Sequence, residues 1–289
     1  MPAALPPDGT VGAMHPFTQV DVFTDELLLG NPVAVVHDAA DLSDEQMRAF
    51  ARWTNLSETT FLLPAEHPDA DYRLRIFTTE RELPFAGHPT LGSARAFEEA
   101  GGVAASGGDL VQECGAGLVR IRHTGSRLAF AAPPLLRGGP VDEELVGRLA
   151  AALHLRREQI TGAQWADNGP GWIALLLADA DTVLALEPDG PALGDANVGV
   201  IGPYPAGAEA DFEVRTFIPE AGLTEDPVTG SCNAAIAQWL IPAGLAPQSY
   251  TVSQGTRLHR RGRLYLEQSG DDIWVGGDTV VGITGTVQL

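Results

Sequence analysis

Hydrophobic and polar positions alternate at the start of the chain. "FTQVDVFT" (17–24) reads as a strand, "GNP" (30–32) as a turn, and "VAVVHDA" (33–39) as a second strand. The period then changes. "LSDEQMRAFARWTN" opens on a capping Ser43, and Met47, Phe50 and Trp53 recur at helical spacing. "NLSETTFLLP" (55–64) returns to strand, because Thr59 to Leu62 are β-branched, aromatic or apolar. Glu58 stands at the edge of that run, a poor place for a carboxylate. "YRLRIFTT" (72–79) alternates cleanly.

"ELPFAGHPTLGSARAFEEAGG" has a different pattern. Pro89 suits the first turn of a helix and Gly101 its stop. Apart from Arg95, the residues from Leu91 to Phe97 are small or apolar on every side, which predicts a helix buried all round. "GLVRIRHTGSRLAFAAPP" (117–134) reads as a hairpin, and Pro133 and Pro134 begin a linker. A helix at "DEELVGRLAAAL" (142–153) precedes strands at "GWIALLLAD" and "FEVRTFI" (212–218). "EDPVTGSCNAAIAQWLIPAG" is a second proline-containing turn leading into a helix of small residues, which ends near Pro242 and Gly244. "RLYLEQ" and "DIWVGGDTVVGITGTVQL" close the chain as strands.

"RIFTT" (75–79) and "RTFIP" (215–219) lie about 140 residues apart, as do the two proline-led helices. The order predicts a duplicated α+β unit. A helix buried all round needs a sheet curled about it, so two similar domains are expected, each wrapping strands around one central helix. A single α/β domain is the simpler alternative.

Composition narrows the function. The 289 residues carry a formal charge of −20, with 38 acids against 18 bases. Nucleic acid and anionic membrane are disfavoured as partners, because phosphate binding needs a basic footprint. A small molecule or another protein remains. All the bases are arginine, so neither a lysine Schiff base nor a P-loop lysine is possible. Cys114 and Cys232 are too few for a disulfide framework and read as buried thiols in a reducing, cytoplasmic compartment. The longest apolar runs fall short of the roughly 20 residues that span a bilayer. "MPAALPPDGTVGAMH" lacks the features of a signal peptide and reads as a loose tail, with Met14 an alternative start.

The two proline-led helix starts hold the candidate chemistry. A helix N-terminus presents unpaired N–H groups and suits an anion such as a substrate carboxylate. Gly87 and Gly230 allow close backbone approach. If the halves are related by pseudo-symmetry, both starts could face one cleft. His88 and Asp226 are titratable groups beside them. An N-cap Asp226 and a turn-bound His88 are the plain structural alternatives. The seven histidines form no close metal-ligand pair, so no metal is expected. No GxGxxG, GxSxG or HExxH pattern occurs. Ser231 in "TGSC" has no adjacent base. "RLHRRGR" (257–263) reads as a solvated turn or dimer edge.

Together, "VDVFTDELLLGNPVAVV", "NLSETTF", "RIFTTERELPFAGHPTLGSA", "TFIPEAGLTEDPVTGS", "VSQG" and "VGGDTVVGITGTV" resemble the PhzF family, named for the phenazine biosynthesis isomerase, over roughly residues 16–289. The resemblance implies an α+β, diaminopimelate epimerase-like fold of two pseudo-symmetric domains, each a curled, mostly antiparallel, barrel-like sheet around a central helix. The expected division is a flexible tail (1–14), an N-terminal domain (15–130 plus 279–289) and a C-terminal domain (131–278). A homodimer is implied. So is a cofactor-independent isomerase of secondary-metabolite, including antibiotic, biosynthesis acting on a small unsaturated carboxylate.

By the same resemblance Glu58 is the catalytic glutamate, with His88 and Asp226 as further catalytic residues. Ser57, Gly87, Gly230 and Ser231 hold substrate. Glu58 in a dry cleft would have a raised pKa and could protonate one carbon and deprotonate another on the same face. Such a double-bond migration needs no redox cofactor. Two alternatives stand beside this reading. One is an idle small-molecule-binding protein on the same fold. The other is a two-thiol racemase or epimerase, against which Ala86 precedes Gly87 and Pro227 occupies the comparable place in the second turn.

Overall fold

The structure, a computed structural model, describes residues 12–219 and 225–289. Positions 1–11 of the expected tail, and 220–224 within "TFIPEAGLTEDPVTGS", lie outside the described residues. The first half runs β1 (Met14–Val22), β2 (Asn31–Val36), α1 (Asp44–Thr54), β3 (Glu58–Leu63), β4 (Tyr72–Phe77), β5 (Glu82–Leu83), α2 (Gly87–Glu99), β6 (Leu110–Cys114), β7 (Gly117–Thr124) and β8 (Arg127–Ala131). The second runs β9 (Arg137–Pro140), α3 (Glu143–Ala152), β10 (Ile160–Asp167), β11 (Ile173–Leu177), α4 (Ala180–Leu184), α5 (Gly190–Leu193), β12 (Val198–Pro203), β13 (Phe212–Phe217), α6 (Gly230–Leu240), β14 (Ser249–Gln254), β15 (Gly262–Ser269) and β16 (Asp272–Gly277). The last strand is β17 (Thr279–Gln288).

Strand pairing exposes the duplication. In the first half β1 is antiparallel to β2, β2 parallel to β3, β3 antiparallel to β4, β4 parallel to β6, and β6, β7 and β8 are successively antiparallel. The second half repeats this sequence of senses from β10 through β11, β12, β13 and β14 to β15 and β16. β17 lies antiparallel beside β1 as β9 lies beside β10. The two halves join where β8 pairs antiparallel with β16. Each half therefore curls without closing, and the mixed sheet continues through the junction.

Each curl encloses one helix. α2 packs on β1, β2, β3, β4, β6, β8 and β17, and α6 on β10, β12, β15 and β16. Every residue of α2 from Gly87 to Ala94 is buried. Small residues are what let the helix lie so close to the sheet. A Cβ added at Gly92 would stand 2.3 Å from Val33 Cγ1. Leu91, fully buried in this core, would cost about 2–5 kcal/mol to truncate to alanine.

The second face of the first-half sheet is covered by α1, which sets Met47, Phe50 and Ala51 against Val36, Phe61 and Phe77. Ser43 caps this helix in a reciprocal capping box with Gln46. Trp53 departs from the expected apolar face: it stacks on Phe50 but is 78% exposed.

Two further differences from the sequence reading have local causes. β1 begins at Met14, and Ala13 accepts a hydrogen bond from Leu289, so the last positions of the expected tail are tied to the chain's end. β9 lies in the expected linker; its sequence "RGGP" carries no apolar alternation, and partnership with β10 alone makes it a strand. β16 and β17 are separated by Asp278 and pair in different halves.

Candidate active site

The starts of α2 and α6 meet backbone to backbone. A Cβ at Gly87 would lie 2.9 Å from the Cα of Gly230, and one at Gly230 would lie 3.1 Å from the Cα of Gly87. Phe130 and Phe23 close the sides of this contact. Two positive dipole ends thus converge, an arrangement suited to a bound anion. The residues preceding the glycines, which occupy the N-cap positions, are Ala86 and Thr229. Thr229 is therefore the structural counterpart of Ala86, in place of the expected Pro227. The cysteines are elsewhere: Cys232 is buried in α6 against Gly199, its thiol pushed up to about 12 by burial, and Cys114 lies on β6. Neither helix start carries a thiol.

Around the meeting point the structure gathers Ser57, Glu58, His88 and Asp226. Glu58 begins β3, and its side chain is 15% exposed. His88 is the second residue of α2, 4% exposed, and not a turn residue. Its Nε2 lies 3.3 Å from Glu58 Oε2, and among the described residues neither atom makes a hydrogen bond. The distance alone would suit an ion pair. Burial opposes one: it drives Glu58 up to about 8 and His88 down to about 3. Both groups are cut off from water, so a carboxylic acid facing a neutral imidazole is the favoured state.

Pro32 has no N–H, so its backbone bond to the His88 ring is a carbonyl accepting a ring proton. His88 Nδ1 also lies 3.3 Å from Asn31 Nδ2, while Nε2 faces Glu58.

Asp226 is 5% exposed and is not the N-cap of α6. Its backbone N–H donates to the Thr216 carbonyl at 3.0 Å, in an isolated bridge beside β13. One carboxyl oxygen accepts from the Thr229 hydroxyl and the other from Asn31 Nδ2 at 3.1 Å. Burial raises it to about 6, while the bonds from Thr229 and Asn31 hold it down. The two carboxyls are consequently pushed apart. Near neutral pH Asp226 carries the charge and Glu58 the proton, and that charge itself helps raise Glu58.

Asn31 and Gln254 are site residues that the sequence reading missed. Asn31, fully buried at the start of β2, donates to Asp226 and also to the Val228 carbonyl at 2.9 Å, so the first half grips the loop before α6. Its Oδ1 accepts from the Ser57 hydroxyl at 3.2 Å. Gln254 Nε2 lies within hydrogen-bond distance of Thr216 Oγ1, Thr229 Oγ1 and the Asp226 carbonyl, while its Oε1 accepts from Thr229 N and Asn233 Nδ2. Both residues stood within the quoted motifs, in "GNP" and "VSQG". Full burial of an amide is not visible in sequence, and "GNP" also satisfies the rules for a turn.

Ser231 lies at the start of α6, but its hydroxyl accepts from Trp172 Nε1 at 3.2 Å and its carbonyl from Asn168 Nδ2 at 2.9 Å. The duplicated register shows what stands opposite the acid. Thr59 pairs with Ala34 and Phe77, as Val198 pairs with Ile173 and Phe217, so Asn197 occupies the place of Glu58. Ser231 likewise occupies the place of His88. Among the described residues no group of three or more acids, histidines or cysteines could hold a metal ion. No helix among them is long and apolar enough to cross a membrane.

Comparison with known proteins gives a consistent picture. The family described as "Phenazine biosynthesis-like protein" (PhzC-PhzF) matches residues 20–286. The chain is similar to "Antisense-enhancing sequence 1" of Schizosaccharomyces pombe, 37% identical over 94% of this chain and 98% of the relative. It is also similar to the trans-2,3-dihydro-3-hydroxyanthranilate isomerase of Pseudomonas aeruginosa, 36% identical over 89% of this chain and 91% of that one. A solved PhzF-family structure from Enterococcus faecalis superposes with a TM-score of 0.76 at 28% identity, covering 96% of this chain and all of that one.

Proposed function

The chain belongs to the PhzC-PhzF family, and from that premise and the geometry of the helix starts we propose that it is a cofactor-independent isomerase that moves a double bond by acid–base proton transfer. The substrate is a small unsaturated carboxylate, its anionic group at the paired N-termini. Glu58, protonated near neutral pH, gives its proton to one carbon of the conjugated system. The resulting carboxylate removes a proton from a second carbon on the same face. The double bond shifts, and the acid is regenerated. His88, buried and neutral, stands against Glu58 and limits where the acid can point. Charged Asp226 orients polar substrate groups.

The observation that carries this reading is the one-sided acid: Glu58 faces His88 Nε2 at 3.3 Å, whereas Asn197 and Ser231 stand in the matching places of the other half. A base on one face suits proton transfer between two carbons. Inversion at a single carbon would need bases on both faces. Relatives named trans-2,3-dihydro-3-hydroxyanthranilate isomerase make that compound the first probe. We expect Glu58→Gln to lower its turnover by about a thousandfold or more while leaving its binding within a few-fold. Wild-type turnover in that variant would reject the assignment.

The division into domains at 15–130 plus 279–289 and 131–278 is part of the same proposal, supported by the matched roles of β17 and β9. So are a homodimer, a cytoplasmic location and a role in secondary-metabolite biosynthesis, each supported by the family resemblance.

A further inference from the structure

We propose that Arg215 and Glu225 form a buried latch that positions Asp226 and balances the charge beside it. This rests on the reading of Asp226 as a site residue and adds two positioning residues to it.

Arg215, on β13, is 4% exposed. Its Nε and Nη2 donate to the two carboxyl oxygens of Glu225 at 2.9 and 2.7 Å. Its Nη1 donates to the carbonyls of Leu186 at 2.6 Å and Val183 at 3.3 Å, at the end of α4. The guanidinium is thus fixed on both sides, and a bidentate pair fixes the plane of the Glu225 carboxylate. Glu225 adjoins Asp226, whose N–H is held by Thr216, the residue after Arg215. Two successive residues of β13 therefore clamp two successive residues of the loop.

The first half repeats this device. Arg75 makes the same bidentate pair with Glu82, at 2.7 Å for each bond, and Ile76 pairs with Leu83. Leu83 stands where Asp226 stands in the second half. There the latch fixes a hairpin before α2, and Glu82 is 35% exposed. In the second half Glu225 is 9% exposed and abuts a carboxylate. Water screens that neighbour poorly, so the charge of Glu225 raises Asp226 even with Arg215 in place, and would raise it further without Arg215. The other groups facing Asp226 are Glu58 on β3, Cys232 on α6, and the neutral donors Asn31 and Thr229. Gln254 on β14 holds its carbonyl.

The latch makes a prediction that a merely structural salt bridge does not. Arg215→Gln leaves Glu225 bare, and Asp226 should titrate about one unit higher. Glu225→Gln leaves Arg215 bare, and Asp226 should titrate lower by a similar amount. The double variant should return close to wild type. Carbon-13 NMR titration of protein labelled at the aspartate carboxyl carbons reads this directly, with Asp226 assigned by its absence in Asp226→Asn. No substrate is needed, so failure of the isomerase reading and failure of the latch are separable. Opposite shifts in the two single variants support the latch; shifts of one sign, or none, overturn it. If Arg215→Gln does not fold, Glu225→Gln decides alone: a lowered midpoint supports the proposal and an unchanged or raised one refutes it.

Discussion

The two helix starts have the same backbone and different chemistry. At the start of α2 stand Glu58, His88 and Leu83. In the matching places at α6 stand Asn197, Ser231 and Asp226. The duplicated framework supplies two convergent N-termini, a glycine at each, and an Arg–Glu pair behind each. Single substitutions on that framework then separate the roles. The first half keeps a protonated acid and a neutral imidazole, and the second keeps a charged carboxylate held by hydroxyl and amide. Asn31 reaches across to bond both the Asp226 carboxylate and the Val228 carbonyl, so neither half completes the site alone.

The largest effect should come from moving the acid. In the Glu58→Gln/Asn197→Glu double variant the carboxyl changes halves but meets Ser231 instead of an imidazole. Turnover of trans-2,3-dihydro-3-hydroxyanthranilate should stay about a thousandfold down. Recovery would mean that the two starts are interchangeable.

Next comes the contact between the tips. Gly87→Ala forces a methyl against the Gly230 backbone and the Phe130 ring, neither of which can swing away. Denaturant unfolding should register a loss of about 1–3 kcal/mol. An unchanged midpoint would show that the tips are less tightly joined.

The acid itself should leave a mark on stability. Folded Glu58 keeps its proton to about pH 8, whereas its ordinary value is 4.5. The folded state therefore binds more protons between these values, and stability falls as pH rises through them. Asp226, raised to about 6 from 3.8, acts in the same sense at lower pH. His88 acts oppositely: its folded value of about 3 lies below the ordinary 6.5, so its contribution is lost as pH falls through that interval. Above pH 6.5 Glu58 changes most, and comparison with Glu58→Gln removes most of the smaller contributions of the other two. Between pH 6.5 and 8 the wild type should lose up to about 2 kcal/mol relative to Glu58→Gln. Parallel stability curves for the two proteins over that interval would contradict the raised value.

The smallest effect should be at the second start. Asn197 donates to the Pro170 carbonyl at 2.7 Å. Asn197→Ala should cost about 1 kcal/mol of stability and leave turnover within a few-fold. A loss as deep as that of Glu58→Gln would place essential chemistry in both halves.

Much of this asymmetry is legible in the sequence. The two central helices are announced by residues too small and apolar to face water, and the duplication by the spacing of "RIFTT" and "RTFIP". Glu58 is conspicuous as an acid at the head of an apolar strand. What the sequence hides is register. That Asn197 answers to Glu58, and Leu83 to Asp226, depends on which strands pair and where, and β12, in "VGVIGP", carries too much glycine and proline to read as a strand. Asn31 is hidden for another reason: a turn asparagine and a buried cross-link between halves look alike until the fold brings residues nearly 200 apart into contact.

The central claim is that one acid, on one face, relays hydrogen between carbons. The most direct test is to turn over trans-2,3-dihydro-3-hydroxyanthranilate in heavy water and follow deuterium at its ring carbons by NMR. Wild type and Asn197→Ala should both introduce deuterium at the newly protonated carbon, and Glu58→Gln should introduce none. Exchange at the wild-type rate in Glu58→Gln would contradict the account.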